Sequence, residues 1–156
     1  MKRLFGLLTV LLLVVLFSHQ SKGQAIYLNG GYSWTKGVVG VEYKSGYWGF
    51  GLGYMPTKMP MSGNSVTSVS AAITFYTVEQ GDFDNGWYAT LASTSAGYRM
   101  EDSFGESVVK PMTIVTVGYL FDIDNFYLTG GGGFGIYSGG TTPTYEITLG
   151  IRLWED

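Results

Sequence analysis

Hydrophobic and polar residues alternate strictly along residues 145–153, near the end of the chain. Successive side chains of a β-strand point to opposite faces, so this segment has one apolar face and one small or charged face. The segment therefore predicts a strand that separates an apolar environment from a polar one. Its apolar face carries Tyr145, Ile147, Leu149, Ile151 and Leu153, and its other face carries Glu146, Thr148, Gly150 and Arg152.

Residues 46–55, GYWGFGLGYM, alternate in the same way but with glycine in place of the polar residues. Trp48, Phe50, Leu52 and Tyr54 share one face, and Gly49, Gly51 and Gly53 share the other. A soluble sandwich would turn its large residues inward and present polar residues to water. A glycine face is too bare for that role, so we expect the aromatic face to contact lipid.

The same rule divides the chain after residue 24 into eight segments, none of them with helical periodicity. In the second, Val39, Val41 and Tyr43 oppose Gly40, Glu42 and Lys44. The fifth is ambiguous, because Tyr88 and Tyr98 share one face while Trp87 and Leu91 share the other. The predicted strands are 25–34, 37–44, 46–55, 66–78, 86–100, 111–121, 126–137 and 144–154.

Turn signals separate these segments. Residues 44–46, 84–86 and 122–125 are tight connections rich in Asp, Asn and Gly, whereas 56–65 and 101–111 are longer. If the N-terminus starts in the periplasm, the two longest connections face outward, which is the asymmetry of outer-membrane barrels. Because lipid offers no water to backbone groups, spanning strands must close on themselves. We expect an all-β fold, an eight-stranded antiparallel up-and-down transmembrane β-barrel.

The N-terminal segment has the layout of a secretory signal peptide. Lys2 and Arg3 precede an apolar run over residues 4–17, which is followed by polar and then small residues. Fourteen helical residues reach about 21 Å, short of a hydrocarbon core about 30 Å thick, which disfavours an uncleaved anchor. We expect a signal peptide over residues 1–23 and a barrel domain over 24–156, with cleavage after Gly23 or Ala25.

Composition limits the function of the exported chain. Charged residues make up 13% of the sequence, whereas a soluble surface carries about 25–35%. Loss of the signal peptide leaves six Lys and Arg against twelve Asp and Glu, so nucleic acid is not an expected partner. The sequence contains no cysteine, which removes disulfides as a means of stabilisation.

No candidate chemistry outweighs a structural explanation. The GGGGFG segment at 130–135 has the spacing of a dinucleotide loop, but no helix pattern follows, and a strand over which aromatic rings pack explains it better. The single histidine, His19, lies in the signal peptide, so the exported chain has no histidine to activate a serine, and no spacing singles out a Lys or Glu in its place. The EDSFGE segment at 101–106 is too sparse for calcium. We expect no enzyme, no cofactor and no metal.

Charged residues within the strands form a candidate lumen cluster, Glu42, Lys44, Arg99, Glu146 and Arg152. The inferred strand directions predict two cross-lumen pairs, Glu42 with Arg152 and Glu146 with Arg99. The interior of an eight-stranded barrel is only wide enough for its own side chains, so a filled interior is favoured over a solute channel.

Aromatic residues near the strand ends predict two belts at the membrane boundaries. The candidate girdle comprises Trp34, Trp48, Tyr54, Tyr88, Tyr98, Tyr119 and Tyr145, with Tyr32 and Trp87 as further members.

An export signal, alternating strands and a C-terminal YEITLGIRLW together resemble the small bacterial outer-membrane β-barrels of the outer membrane protein X and opacity-protein types. The resemblance covers the whole mature chain. It implies that the barrel assembly machinery reads the last strand, with Gly150 and Trp154 at the matching positions. Here Glu155 and Asp156 follow that aromatic, and Trp154 has the parity of the polar face.

The sequence thus predicts a monomeric, non-enzymatic barrel in the outer membrane of a Gram-negative bacterium, with lipid as its surroundings and a structural or surface-interaction role. Two alternatives stay open. One is a porin-like channel for small solutes, and the other is a soluble exported barrel with its aromatics turned inward onto a small apolar ligand.

Overall fold

The computed structural model describes residues 23–33, 37–58, 65–78, 85–101 and 107–155, with the backbone alone at 56–58, 65–66, 96–101 and 107–110. Within these ranges no helix has the length and apolarity needed to cross a membrane. The strands are β1 Gln24–Tyr32, β2 Val39–Ser45, β3 Trp48–Lys58, β4 Ser65–Tyr76, β5 Gly86–Glu101, β6 Ser107–Ile123, β7 Phe126–Tyr137 and β8 Gly140–Glu155.

The eight strands form a closed barrel in which each strand pairs with its neighbour in sequence and β8 pairs with β1. All pairings are antiparallel, so the predicted eight-stranded up-and-down barrel is confirmed. Residues Gln24 and Glu155 lie at one end together with the β2–β3, β4–β5 and β6–β7 connections. We call this the terminal end and the opposite one the loop end.

The two faces of the strands have the predicted chemistry. Outward residues are large and apolar, with Leu52, Val117 and Ile147 between 53% and 65% exposed. Inward residues are almost wholly buried and include polar side chains such as Glu42 and Thr74, together with an apolar cluster of Ala72, Ala92, Met112 and Ile114. Trp48, Phe50, Leu52 and Tyr54 all lie on the outer face, as predicted. This facing is the reverse of the one that a soluble barrel around an apolar ligand requires.

Two tight turns follow their sequence signals. Gly46 has a φ of 56° in the β2–β3 turn, and Asp124 has a φ of 57° in the β6–β7 turn. Two-residue hairpin turns need left-handed backbone, which glycine adopts freely and Asp tolerates better than most residues. The predicted connections at 44–46 and 122–125 are confirmed as tight turns but are shorter, at 46–47 and 124–125, because β2 runs to Ser45 and β6 to Ile123.

The lengths of the other connections differ from the prediction. β6 begins at Ser107 rather than at 111, and β8 begins at Gly140 rather than at 144. The longest segment between strands is 77–85, at the terminal end, so the expected asymmetry of the loops is wrong. Pro111, where the predicted connection 101–111 meets the predicted strand 111–121, lies inside β6 at a break in register between Thr94 and Tyr98 of β5. Proline has no N–H to donate to the hydrogen-bond ladder, and at such a break in the pairing none is required.

Glycines on the inner face make room for aromatic rings. A Cβ on Gly118 or Gly131 would meet the Tyr88 side chain, and a Cβ on Gly150 would overlap the Tyr127 ring. Residues 130–135 lie within β7, and the Tyr88 hydroxyl occupies the space that a side chain on Gly131 would fill. The structural interpretation of the GGGGFG segment is confirmed.

Candidate functional site

The barrel interior contains two buried carboxylates, each surrounded by polar side chains from several strands. Glu42 and Glu146 are both 1% exposed. A buried charge is costly unless it is paired and hydrogen-bonded, so its partners define the site. The Glu42 layer comprises Tyr27, Asn29, Glu42, Lys44, Tyr76 and Tyr127, and the Glu146 layer comprises Ser33, Tyr88, Thr116 and Glu146.

The Glu42 carboxylate accepts hydrogen bonds from three other strands. The Tyr76 hydroxyl on β4 donates to Oε1 at 2.5 Å, and the Tyr127 hydroxyl on β7 donates to Oε2 at 2.7 Å. Asn29 Nδ2 on β1 donates to Oε2 at 3.4 Å, and its Oδ1 lies 2.5 Å from the Tyr127 hydroxyl. Since β2 and β7 are three strands apart around the barrel, this layer crosses the lumen.

Lys44 lies two residues further along the same inner face of β2 and is 4% exposed. Its ammonium lies 4.1 Å from the centroid of the Tyr127 ring, 4.2 Å from that of Tyr76 and 4.7 Å from that of Tyr27. A desolvated cation over an aromatic face gains about 2 kcal/mol or more. Tyr76 and Tyr127 also donate to Glu42, so each contacts the Lys44 ammonium with its ring and the Glu42 carboxylate with its hydroxyl.

The Glu146 layer lies closer to the loop end. The Tyr88 hydroxyl on β5 donates to Glu146 Oε1 at 2.5 Å, and Ser33 Oγ donates to Oε2 at 2.7 Å. Thr116 Oγ1 on β6 lies 3.5 Å from Oε1. Ser33 follows β1, so this carboxylate connects the last strand to the first connection of the chain and to β5.

Arg152 lies at the terminal end of the interior and has partners other than Glu42. Its Nε donates to the Tyr27 hydroxyl at 3.1 Å, its Nη1 lies 2.6 Å from Glu155 Oε2, and its Nη2 lies 3.9 Å from Asp122 Oδ2. The predicted Glu42–Arg152 pair is therefore wrong. Phenol and amide donors surround the carboxylate instead, and Arg152 reaches acidic groups at the rim.

The structure describes the side chains of four of the five residues in the predicted lumen cluster. Glu42, Lys44 and Glu146 are buried in the interior, and Arg152 is partly buried at its terminal end. The predicted pair of Glu146 with Arg99 lies outside the described side chains, because β5 is described there by its backbone only.

Hydroxyl groups fill much of the remaining interior. The hydroxyls of Thr74 and Thr90 are hydrogen-bonded at 2.9 Å, and those of Ser68 and Thr94 are also hydrogen-bonded to each other. In the described part of the barrel, four buried side-chain oxygens lack a hydrogen-bond partner, on Ser70, Asp122, Thr144 and Thr148. All four of these oxygens are closed off from solvent.

The chemistry that this arrangement performs is the joining of strands. Two phenols donate to Glu42, and one phenol and one serine hydroxyl donate to Glu146. Among the described residues, no group of three or more His, Cys, Asp or Glu side chains is placed to hold a metal ion.

Sequence reasoning missed the tyrosines of the Glu42 layer. Tyr27, Tyr76 and Tyr127 are each at most 2% exposed. The alternation along the strands could have shown that these tyrosines face inward. Tyr27 alternates with the outward residues Ile26 and Leu28, and Tyr127 with the outward residues Phe126 and Leu128. Phenols carry no charge at neutral pH, so a pattern of charged residues does not include them.

The outer face carries most of the predicted girdle. Trp48, Tyr54 and Tyr145 are exposed there, and the Tyr119 ring lies 5.3 Å from that of Trp87. Further rings that the prediction omitted lie beside them, including Tyr47 and Phe75 around Trp48. Trp34 and the Tyr98 side chain lie outside the described residues.

Tyr88 is a correction to that set, because it faces the interior and is 1% exposed. The β5 register puts Trp87 and Leu91 outward, which settles the ambiguous facing of this strand. The Tyr88 hydroxyl needs an acceptor, and Glu146 supplies one inside, where Gly118 and Gly131 leave room for the ring.

The C-terminal strand places both residues of the predicted assembly signal. Gly150 faces inward beneath the Tyr127 ring. Trp154 faces outward despite its parity, because the β1–β8 register shifts between Ile26 and Tyr27, so that Leu153 has no partner. This bulge gives Leu153 and Trp154 neighbouring positions on the outer surface.

Comparison with protein-family models, curated proteins and solved structures finds no match to this chain.

Proposed function

We propose that this chain is a non-enzymatic, monomeric β-barrel of a Gram-negative outer membrane, with a structural or surface-interaction role in the cell envelope. The observation that carries the proposal is the inverted distribution of polarity. Exposed apolar side chains cover most of the outer face of the described strands, while the buried charged groups and most of the buried hydroxyls lie in the interior beside a small apolar cluster. Only a solvent less polar than water makes that distribution favourable.

The dimensions of the outer face fit a bilayer. On β8 the exposed apolar residues run from Tyr145 to Leu153. Eight steps at about 3.3 Å and a tilt near 40° give a height of about 20 Å, close to the band of about 25 Å in outer-membrane barrels. Aromatic rings at both limits, with Tyr32 stacked on Tyr145 at one and Trp48 against Phe75 at the other, support membrane boundaries there.

A filled interior favours a barrel without a channel. The Glu42 and Glu146 layers cross the lumen at two heights, and their side chains are buried. The porin-like alternative requires these layers to move aside. Outward exposure of Trp154 and the small size of Gly150 are compatible with recognition of the last strand by the barrel assembly machinery, which we include in the proposal.

Cell fractionation followed by electrophoresis with and without boiling tests this function. We expect the protein in the outer-membrane fraction, with faster migration before boiling, because a closed barrel keeps its compact shape in detergent. Recovery as a soluble periplasmic protein without a heat-dependent shift would contradict the proposal. Planar-bilayer recording of the same material separates the alternatives, since stable unitary conductance would favour the channel.

A further inference from the structure

The junction between β1 and β8 differs from the other seven, because it joins opposite ends of the chain. Each other junction pairs strands that are consecutive in sequence. Tyr27 and Arg152, which meet across the β1–β8 junction, are 125 residues apart. Loop-closure entropy opposes contacts of such separation, so this junction, the seam, is the costliest to close.

The backbone of the seam is also irregular. Its register shifts between Ile26 and Tyr27, which leaves Leu153 unpaired in the ladder. Gly31 has a φ of 154° and lies against the backbone of Ile147 and Thr148, where a Cβ would not fit. A bulge disrupts the hydrogen-bond ladder locally. Backbone pairing alone is therefore weaker support here than in a regular hairpin.

Side chains of the interior cross the seam at several heights. Arg152 Nε donates to the Tyr27 hydroxyl near the terminal end, and Ser33 Oγ donates to Glu146 near the loop end. Between them, the Tyr127 hydroxyl on β7 contacts Asn29 on β1 and Glu42 on β2. These bonds connect the first hairpin to the last, and they exist only when the barrel is closed.

We propose that this polar network is a closure lock, in which the Tyr127 hydroxyl fastens the β1–β2 hairpin to β7 and β8 and holds the seam shut. The lock depends on the closed barrel and not on its location in a membrane. Tyr76 provides the comparison within the same layer. Its hydroxyl donates to the same carboxylate, but from β4, on the side of Glu42 away from the seam.

Native-state hydrogen exchange of the full chain in detergent micelles tests the lock. We expect Tyr127→Phe to accelerate exchange of the amides in 25–32 and 147–155 by about tenfold or more, because a bond to a carboxylate is lost. Amides of the β3–β4 ladder should change by less than about twofold. Tyr76→Phe, which keeps its ring and loses a bond to the same carboxylate, should show no preference for the seam.

Equal acceleration of the seam and the β3–β4 ladder in both variants would overturn the proposal, as would unchanged exchange at the seam in Tyr127→Phe. Ser33→Ala gives an independent comparison if Tyr127→Phe does not fold. It removes a bond across the seam close to the loop end, and we expect faster exchange confined to residues 30–32 and 145–149. Unaltered exchange there in a folded Ser33→Ala variant would contradict the lock.

Discussion

At the scale of single residues, the interior is a set of matched tyrosines and glycines. The Tyr127 ring occupies the space over Gly150, and the Tyr88 ring occupies that over Gly118 and Gly131. Each hydroxyl then reaches a carboxylate on a distant strand. A tyrosine combines a large apolar body with one polar tip, which suits a narrow lumen in which volume and hydrogen bonds must both be supplied.

Adding one methyl group to such a glycine should be costly. We expect Gly150→Ala to lower the free energy of unfolding by about 1–3 kcal/mol, because the new Cβ overlaps the Tyr127 ring and forces it to move. Gly130→Ala is the matched control in the outer face of β7, where a Cβ meets no atom within 4 Å. Urea denaturation in micelles measures both. Equal destabilisation would show that the phenol ring is not tightly fitted.

At the scale of elements, strict alternation made the strands and their facing predictable. The apolar outer face of β2, β3 and β8 could be predicted because each strand repeats its pattern over several residues. The facing of β5 could not, since Tyr88 and Trp87 compete for the outer face and the choice depends on Glu146, 58 residues away.

The partners of the charged residues in the interior could not be predicted from the sequence either. Height along the strands suggested Glu42 with Arg152, but hydrogen bonds from Tyr76 and Tyr127 occupy the carboxylate. Phenols titrate far above neutral pH and are not counted among charges, so a search for ion pairs overlooks them. The start of β6 was hidden for a comparable reason, because the irregular pairing that accommodates Pro111 depends on the partner strand β5.

The outer face of β6 should be sensitive to charge according to depth. Val117→Arg, near the middle of the strand, should lower the free energy of unfolding in lipid vesicles by about 2–4 kcal/mol, because arginine would lie at the centre of the hydrocarbon. Ile123→Arg, at the end of the same strand, should cost about 0–1 kcal/mol. Both residues are highly exposed, so a water-soluble barrel would tolerate the two substitutions equally.

At the scale of the whole molecule, the even number of strands places the start of β1 and the end of β8 at one end of the barrel. The proposed function has the chain exported to the periplasm, from which strands inserted as hairpins need not carry a charged terminus across the bilayer. The terminal end, with Asp122, Asp124 and Glu155, is therefore expected to face the periplasm, and the β7–β8 turn is expected to face the outside.

The absence of cysteine from the sequence permits a direct test of this orientation. A single cysteine at Ser138, in the β7–β8 turn, should react with a membrane-impermeant maleimide in intact cells. A cysteine at Asn125, in the β6–β7 turn, should react only after the outer membrane is opened. Both positions are exposed, so accessibility of the side chain itself is matched. The reverse labelling pattern would mean that the barrel is inserted the other way round.

The positions of the tryptophans give this protein an optical property. Trp48, Trp87 and Trp154 all lie on the outer face at the terminal end, while the buried rings of the interior belong to tyrosine. Tryptophan dominates near-ultraviolet emission, so in a Trp34→Phe background the fluorescence would come from this belt alone. In the proposed membrane location, quenching by brominated lipids would then report the depth of one boundary, with no contribution from the buried tyrosines of the interior.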